Sequence, residues 1–281
     1  MSVTPPDPET VAADVARALA EDVGDGDLTA ALVPEGATAR ATVTAREAAV
    51  LCGRAWFDAV FAALDPGVQV SWAVAEGDTM DDGTVVCRLD GPARPVLTGE
   101  RTALNFLQLL SGTATATHRY AAVLEGTGTR LLDTRKTVPG LRCAQKYAVR
   151  VGGGQNHRMG LYDAFLVKEN HIAACGGIMA AVDAARARDP DAPVEVEVET
   201  LGELREAIAA GAERVLLDNF ALADMRRAVA EADGRIELEA SGNVDLPALA
   251  EIAATGVDFV SVGALTKHLR AVDLSLRLEL G

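Results

Sequence analysis

At 281 residues, 49% hydrophobic and 4% aromatic, with a formal charge of −15, the chain can form one large α/β domain or two unequal ones. It is too acidic and too poor in aromatic side chains to suit nucleic acid, and no apolar run approaches the roughly 20 residues needed to span a membrane. The opening MSVTPPDPET lacks the basic and apolar regions of a secretion signal, and Cys52, Cys87, Cys143 and Cys175 form no CxxC pair, so the expectation is a reduced, cytoplasmic protein.

In chain order, Asp7 followed by Pro8 predicts a helix start, with Val11, Val15, Ala18 and Leu19 on one face and a stop near Gly24 and Gly26. Residues 39–45 alternate as a strand, 54–64 read as a helix, and 68–74 and 84–89 pair as strands across EGDTMDDG. From Thr98 to about Leu124 the pattern is helical. Asp25 and Asp27 in GDGDLT resemble a calcium loop only superficially, since no Glu follows at EF-hand spacing; a helix-ending turn is the simpler reading.

Beyond Gly128 strands and helices alternate. Strands are predicted at 129–133, 163–167, 194–198, 214–218, 235–239 and 258–262, with helices such as 178–188, 201–210 and 245–254 between them. That rhythm demands a parallel sheet. In VEVEV, Val194, Val196 and Val198 would face helices, which turns Glu195, Glu197 and Glu199 the other way; RIELE does the same with Glu237 and Glu239. An open sheet covered on both faces would be apolar there, whereas a barrel can carry carboxylates in its bore. Polar groups also gather at strand C-termini, the catalytic face of a (β/α) barrel. With six convincing strands the barrel is expected to be incomplete, and 273–280 is expected to return as a strand to the first domain. The expected division is 1–112, 113–268 as the barrel, and 269–281.

Charge locates the chemistry. Between Arg101 and His171 the chain holds ten Lys and Arg against four carboxylates, a net +6, leaving −21 for the remainder. A basic pocket in an acidic body suits a small polyanion. Arg135 and Lys136 directly follow a strand, and Lys146, His157 and Arg158 surround a triple glycine. Gly152–Gly154 suit either close backbone approach to an anion or an ordinary turn. No dinucleotide fingerprint or P-loop is present. Lys168 admits three readings: a Schiff-base nucleophile, a cationic anchor for substrate, or a neutraliser of Glu197. Glu197 and Asp218, on neighbouring strand ends, suit hydrated Mg²⁺, sugar hydroxyls or plain ion pairs. Ser241–Gly242–Asn243 and Val262–Gly263–Ala264 follow the last two strands, where barrels commonly hold phosphate through backbone N–H groups.

Nine ordered stretches carry a resemblance: EDVGDGDLT, ERTALNFLQLLSG, DTRKTVPGLR, QKYAVRVGGGQNHR, LVKENHI, VEVEVET, LLDNF, LEASGN and VSVGALTKH. From residue 21 to 268 the chain resembles the quinolinate phosphoribosyltransferase family (nicotinate-nucleotide pyrophosphorylase, carboxylating). Cys143 and Gln155 are local variations outside the strict motif. The resemblance implies a type II phosphoribosyltransferase, α/β in class, with an N-terminal α/β sandwich and a C-terminal incomplete (β/α) barrel. It implies Mg²⁺, and quinolinate and phosphoribosyl pyrophosphate as substrates. It also implies a homodimer with shared sites, or a higher assembly, in which Arg101 is supplied across the dimer to quinolinate. By the same resemblance Thr134, Arg135, Lys136, His157, Arg158 and Lys168 form the pocket for the carboxylates and pyrophosphate. Glu197 and Asp218 hold the ribose and metal; Ser241, Gly242, Asn243, Val262, Gly263 and Ala264 cradle the 5′-phosphate. Lys136, Lys168, Glu197 and Asp218 are then the groups nearest the reaction. The rival readings are a related pyrophosphorylase-like protein linked to molybdate uptake, a Schiff-base aldolase and a non-catalytic phosphometabolite-binding barrel.

Overall fold

The computed structural model describes residues 3–4 and 6–281; Met1, Ser2 and Pro5 of the opening stretch lie outside the described residues. Two compact units emerge. The first comprises the chain to His118, Thr137–Gly153 and His268–Gly281; the second comprises Arg119–Lys136 and Gly154–Lys267.

In the first unit, α1 (Pro8–Asp22) starts where Asp7 accepts hydrogen bonds from the N–H groups of Glu9 and Thr10. It buries Val11 and Val15, and its buried Asp14 accepts from Trp56 Nε1 at 3.1 Å. The strands β1 (Thr38–Ala45), β2 (Ala49–Val50), β3 (Gln69–Trp72), β4 (Thr79–Met80) and β5 (Val85–Pro92) flank α2 (Arg54–Leu64). Ala39, Ala41, Val43 and Ala45 are all buried, as the period-two alternation requires. The pairing of β3 with β5 is antiparallel, Val70 opposite Leu89, as expected from the sequence. Helix α3 (Ala93–Leu124) begins five residues earlier than its pattern suggested and runs 32 residues, so the 112/113 boundary falls inside it. Asp27 accepts from Thr29 N, Ala30 N and Thr98 Oγ1, which makes GDGDLT a capped turn. Those hydrogen bonds hold the Asp27 carboxyl below its ordinary value, Ala30 N–H contributing most.

Helix α4 (Arg142–Val151) also belongs to this unit, although its sequence continues the barrel's rhythm. Close packing requires glycine at the C-terminal end of α4: a Cβ on Gly152 would drive into Ala114 O and stand 2.7 Å from Thr117 Cβ on α3. The first of the three glycines therefore serves packing. The last strand of the chain, Leu274–Leu280, completes a sheet by pairing antiparallel with β1, Val43 opposite Leu276.

The second unit contains β6 (Arg130–Leu132), β7 (Phe165–Val167), β8 (Val194–Val198), β9 (Arg214–Asp218), β10 (Glu237–Ser241) and β11 (Phe259–Ser261). Helices α5 (Glu169–Cys175), α6 (Ile178–Arg188), α7 (Leu201–Ala210), α8 (Leu222–Ala232), α9 (Leu246–Ala253) and α10 (Ala264–Lys267) alternate with them; the returning strand Leu274–Leu280 is β12. The order β6-β11-β10-β9-β8-β7 is parallel throughout, and β6 and β7 end the sheet without pairing to each other. Arg130 and Arg214 lie three strands apart, yet their guanidiniums stand 3.8 and 3.9 Å from the Phe259 ring centre and both bond Glu237. Lys136 after β6 and Lys168 after β7, at opposite edges of the sheet, line one cavity, so the sheet curls into a six-stranded incomplete barrel.

Two strands of the second unit begin two residues later than expected. The strand expected at 235–239 is Glu237–Ser241, because Asp233 and Gly234 have positive φ and Arg235 N–H still bonds Ala232 O at the end of α8. The strand expected from 163 begins at Phe165, because Asp163 accepts from Met159 and Gly160 N–H in a preceding turn. No helix among the described residues is long and apolar enough to cross a membrane.

Candidate active site

The C-terminal strand ends of the second unit enclose a cavity of about 320 Å³. Its walls carry Thr134, Arg135 and Lys136 after β6, His157 and Arg158 before β7, and Lys168 after it. Glu197, Glu239, Ser241 and Ser261 come from β8, β10 and β11, and Leu166 and Leu216 give it an apolar side.

Local hydrogen bonds fix these groups. Thr134 Oγ1 accepts from Lys136 N–H at 3.0 Å, and Thr266 Oγ1 donates to Lys136 O at 2.8 Å, so the β6 turn is pinned at both ends. Gln155 pairs with Leu132 as an isolated bridge, and the buried Asp133 accepts from Asn156 Nδ2 at 2.6 Å and His157 N–H at 2.9 Å. That arrangement ties the 154–158 segment to the end of β6. Arg158 donates through Nη1 to Ala164 O at 3.1 Å.

The electrostatics ask for an anion. Arg158 is held below the ordinary arginine range, first by burial and then by the charge of Arg135. Nε of Arg135 is buried with no hydrogen-bond partner among the described residues. Two guanidiniums that repel each other across a cavity are relieved by a carboxylate or phosphate between them. Lys168 Nζ is ion-paired with Glu197 Oε2, the contact that the neutralising reading of Lys168 expects.

The other expected site residues fall around this cavity or elsewhere. Asp218 ends β9 opposite Ser241 and accepts from Asn219 Nδ2 at 2.9 Å; it is not part of the cavity wall. Gly263 lies against the wall, since a Cβ there would stand 2.9 Å from Lys136 Cδ. Gly242 has φ +102, and a Cβ would collide with Asn219 Oδ1. Gly242→Ala is therefore expected to distort the β10 turn and destabilise the second unit by roughly 1–3 kcal/mol, measurable by denaturant unfolding. Asn243, Val262 and Ala264 continue these two turns without reaching the wall. Arg101 is exposed on α3, in the first unit. Leu166, Leu216 and Ser261 were not anticipated, and only the period-two alternation in VEVEV and RIELE hinted that Glu195 and Glu239 would face inward.

Family comparison agrees with this geometry. The family description "Quinolinate phosphoribosyl transferase, C-terminal domain" matches residues 113–277, and its N-terminal counterpart matches 27–111. The chain belongs to the quinolinate phosphoribosyltransferase family. It is 42% identical over 261 residues to a probable nicotinate-nucleotide pyrophosphorylase [carboxylating] of Bacillus subtilis, covering 92% of this chain and 90% of that one. It is also 42% identical to the Mycobacterium leprae nicotinate-nucleotide pyrophosphorylase [carboxylating], over 94% and 95% of the two chains. Among solved structures, the nicotinate-nucleotide pyrophosphorylase of Francisella tularensis superposes with a TM-score of 0.95 at 46% identity, covering 99% of both chains.

Proposed function

We propose that this member of the family transfers the phosphoribosyl group of phosphoribosyl pyrophosphate to quinolinate. The reaction releases pyrophosphate and CO₂ and yields nicotinate mononucleotide for NAD biosynthesis. The observation that carries this reading is the convergence of Arg135, Lys136, Arg158 and Lys168 on one cavity in a chain of net charge −15. Full-length similarity to named pyrophosphorylases supports it.

Quinolinate carries two adjacent carboxylates, and Arg135 and Arg158 offer planar forks suited to them. Lys136 and Lys168 offer point charges to the pyrophosphate. Glu197 and Asp218 face the ribose hydroxyls, while Ser241 and the turns at Gly242–Asn243 and Val262–Ala264 supply donors for the 5′-phosphate. Glu197 and Asp218 are partly exposed carboxylates on adjacent strands, an all-oxygen donor pair that fits Mg²⁺. Bound there, Mg²⁺ would supply positive charge to the pyrophosphate oxygens. As the C1–O bond breaks, its electron pair leaves with pyrophosphate and positive charge grows on the ribose, which the carboxylates of Glu197 and Asp218 stabilise. The pyridine nitrogen then bonds C1. The C2–carboxylate bond breaks, CO₂ departs, and the electron pair left on C2, stabilised by the adjacent ring nitrogen, takes a proton from solvent. No Ser or Cys nucleophile is required.

The pairing of Lys168 with Glu197 favours this charge role over Schiff-base chemistry. The test is release of pyrophosphate from phosphoribosyl pyrophosphate with quinolinate or nicotinate as acceptor. The dicarboxylate should react and the monocarboxylate should not; equal use of both would sink the assignment.

The active form is a homodimer in which the partner's Arg101 completes the cavity for quinolinate. This follows the family resemblance and the exposure of Arg101 on α3. Mixing Arg101→Ala and Lys136→Ala proteins, each nearly inactive alone, should restore part of the activity through dimers holding one intact site. Absence of any recovery after verified subunit exchange would contradict sharing. We place the reaction in the cytoplasm, in keeping with four free cysteines, two of them buried.

A further inference from the structure

Beneath the cavity's cations, Glu195 of β8 and Glu239 of β10 converge with His157, the nearest nitrogen and oxygens all within 4.8 Å of one another. Glu239 is 0% exposed, and among the described residues neither of its oxygens has a well-aligned hydrogen-bond partner; Oε1 of Glu195 has none either. His157 Nε2 lies 2.8 Å from Glu195 and 3.5 Å from Glu239, and Arg214 Nη1 of β9 is 3.8 Å from Glu239. Ser261 faces Glu239 from β11. Of the neighbouring carboxylates, Glu237 is engaged by Arg130 and Arg214, and Glu197 by Lys168.

Three chemistries could occupy such a cluster: a divalent metal, two ionised carboxylates, or one carboxylate and one carboxylic acid. A metal would need the Nε2 lone pair and hence a proton on Nδ1. His157 Nδ1 instead accepts the Arg158 N–H at 2.7 Å, so Nε2 carries the hydrogen and donates to Glu195. Two ionised carboxylates would leave three buried oxygens without a well-aligned donor and set like charges side by side. One proton on Glu239 turns an orphaned acceptor into a donor for its neighbour.

We propose that Glu239 is a neutral carboxylic acid, a positioning residue that donates to Glu195 and leaves a single negative charge under the four cations of the cavity. Burial first and the Glu195 charge second push its carboxyl well above the ordinary range, with Ser261 and Arg214 offsetting only part. When Glu239 ionises as pH rises, a second negative charge appears beneath the cavity. Quinolinate binding then weakens, so KM rises while kcat changes less.

This inference rests on the cavity being the quinolinate site. The test pairs infrared spectroscopy of ¹³C-glutamate-labelled enzyme with the pH dependence of KM. A carboxylic-acid carbonyl band should be present at neutral pH and vanish over the same range of rising pH in which KM for quinolinate rises. Glu239→Gln, which cannot ionise, should lack that rise. A Glu239→Gln enzyme that keeps the wild-type rise would overturn the proposal. So would absence of the band, or a stoichiometric metal ion that Glu239→Gln releases. Should Glu239→Gln fail to fold, the wild-type band decides alone. A band without quinolinate turnover would leave Glu239 as assigned and remove the functional reading; turnover without a band would do the reverse.

Discussion

Arg135→Ala should lower kcat/KM for quinolinate about 10- to 150-fold, the range that follows from losing one charge-assisted contact of roughly 1.5–3 kcal/mol. The size follows from its setting. Nε of Arg135 is buried without a hydrogen-bond partner among the described residues, and its charge bears on Arg158 across the cavity. That Nε is therefore left without an acceptor until an anion arrives. The same setting predicts that stability does not fall, because removing Arg135 relieves Arg158. A thermal midpoint at or above wild type, with steady-state kinetics showing the loss, would separate a binding role from a structural one. Wild-type kcat/KM would remove Arg135 from the site.

Phe259→Ala should destabilise the second unit by about 3–5 kcal/mol, the usual cost of emptying a buried aromatic position. Phe259 is 2% exposed and has the Arg130 and Arg214 guanidiniums on its ring, with Glu237 bonding both at 2.9 and 3.0 Å. Loss of the ring leaves a cavity and two cations without their aromatic surface. Denaturant unfolding followed by circular dichroism would measure it, and a change below about 1 kcal/mol would show that the clamp is dispensable. The clamp also has a pH signature. Burial alone would raise Glu237, but hydrogen bonds from Arg214 and Arg130 outweigh it and hold the carboxyl below its ordinary value. Its contribution is complete above the ordinary carboxylate range and is lost as pH falls through the depressed value. Glu237→Gln should therefore show a smaller acid-side loss of stability than wild type.

Much of this was legible from residue order because strands and their terminal charges are contiguous. Alternation in VEVEV placed Glu195 and Glu197 inside, and both are on the inner face while Val194, Val196 and Val198 are buried on the other. Arg135 and Lys136 could be placed because they directly follow a strand, and barrel chemistry sits at strand ends. The segment 137–153 was less legible, because its helical pattern is indifferent to which unit it joins; Gly152 against Thr117 decides that. The shift of β10 arose from a left-handed turn at Asp233–Gly234, a dipeptide that marks a turn but does not fix where the next strand begins. Least legible was the grouping of His157, Glu195 and Glu239. It draws on three separate segments and on which ring nitrogen the Arg158 N–H engages. A contiguous motif can announce a charge, but not the neighbour that neutralises it.

The most direct measurement supplies purified protein with Mg²⁺, phosphoribosyl pyrophosphate and quinolinate labelled in its 2-carboxylate, then follows both products. The account predicts labelled CO₂ and nicotinate mononucleotide in equal amounts, each dependent on phosphoribosyl pyrophosphate. A folded protein that binds phosphoribosyl pyrophosphate yet forms neither product would contradict quinolinate as the acceptor.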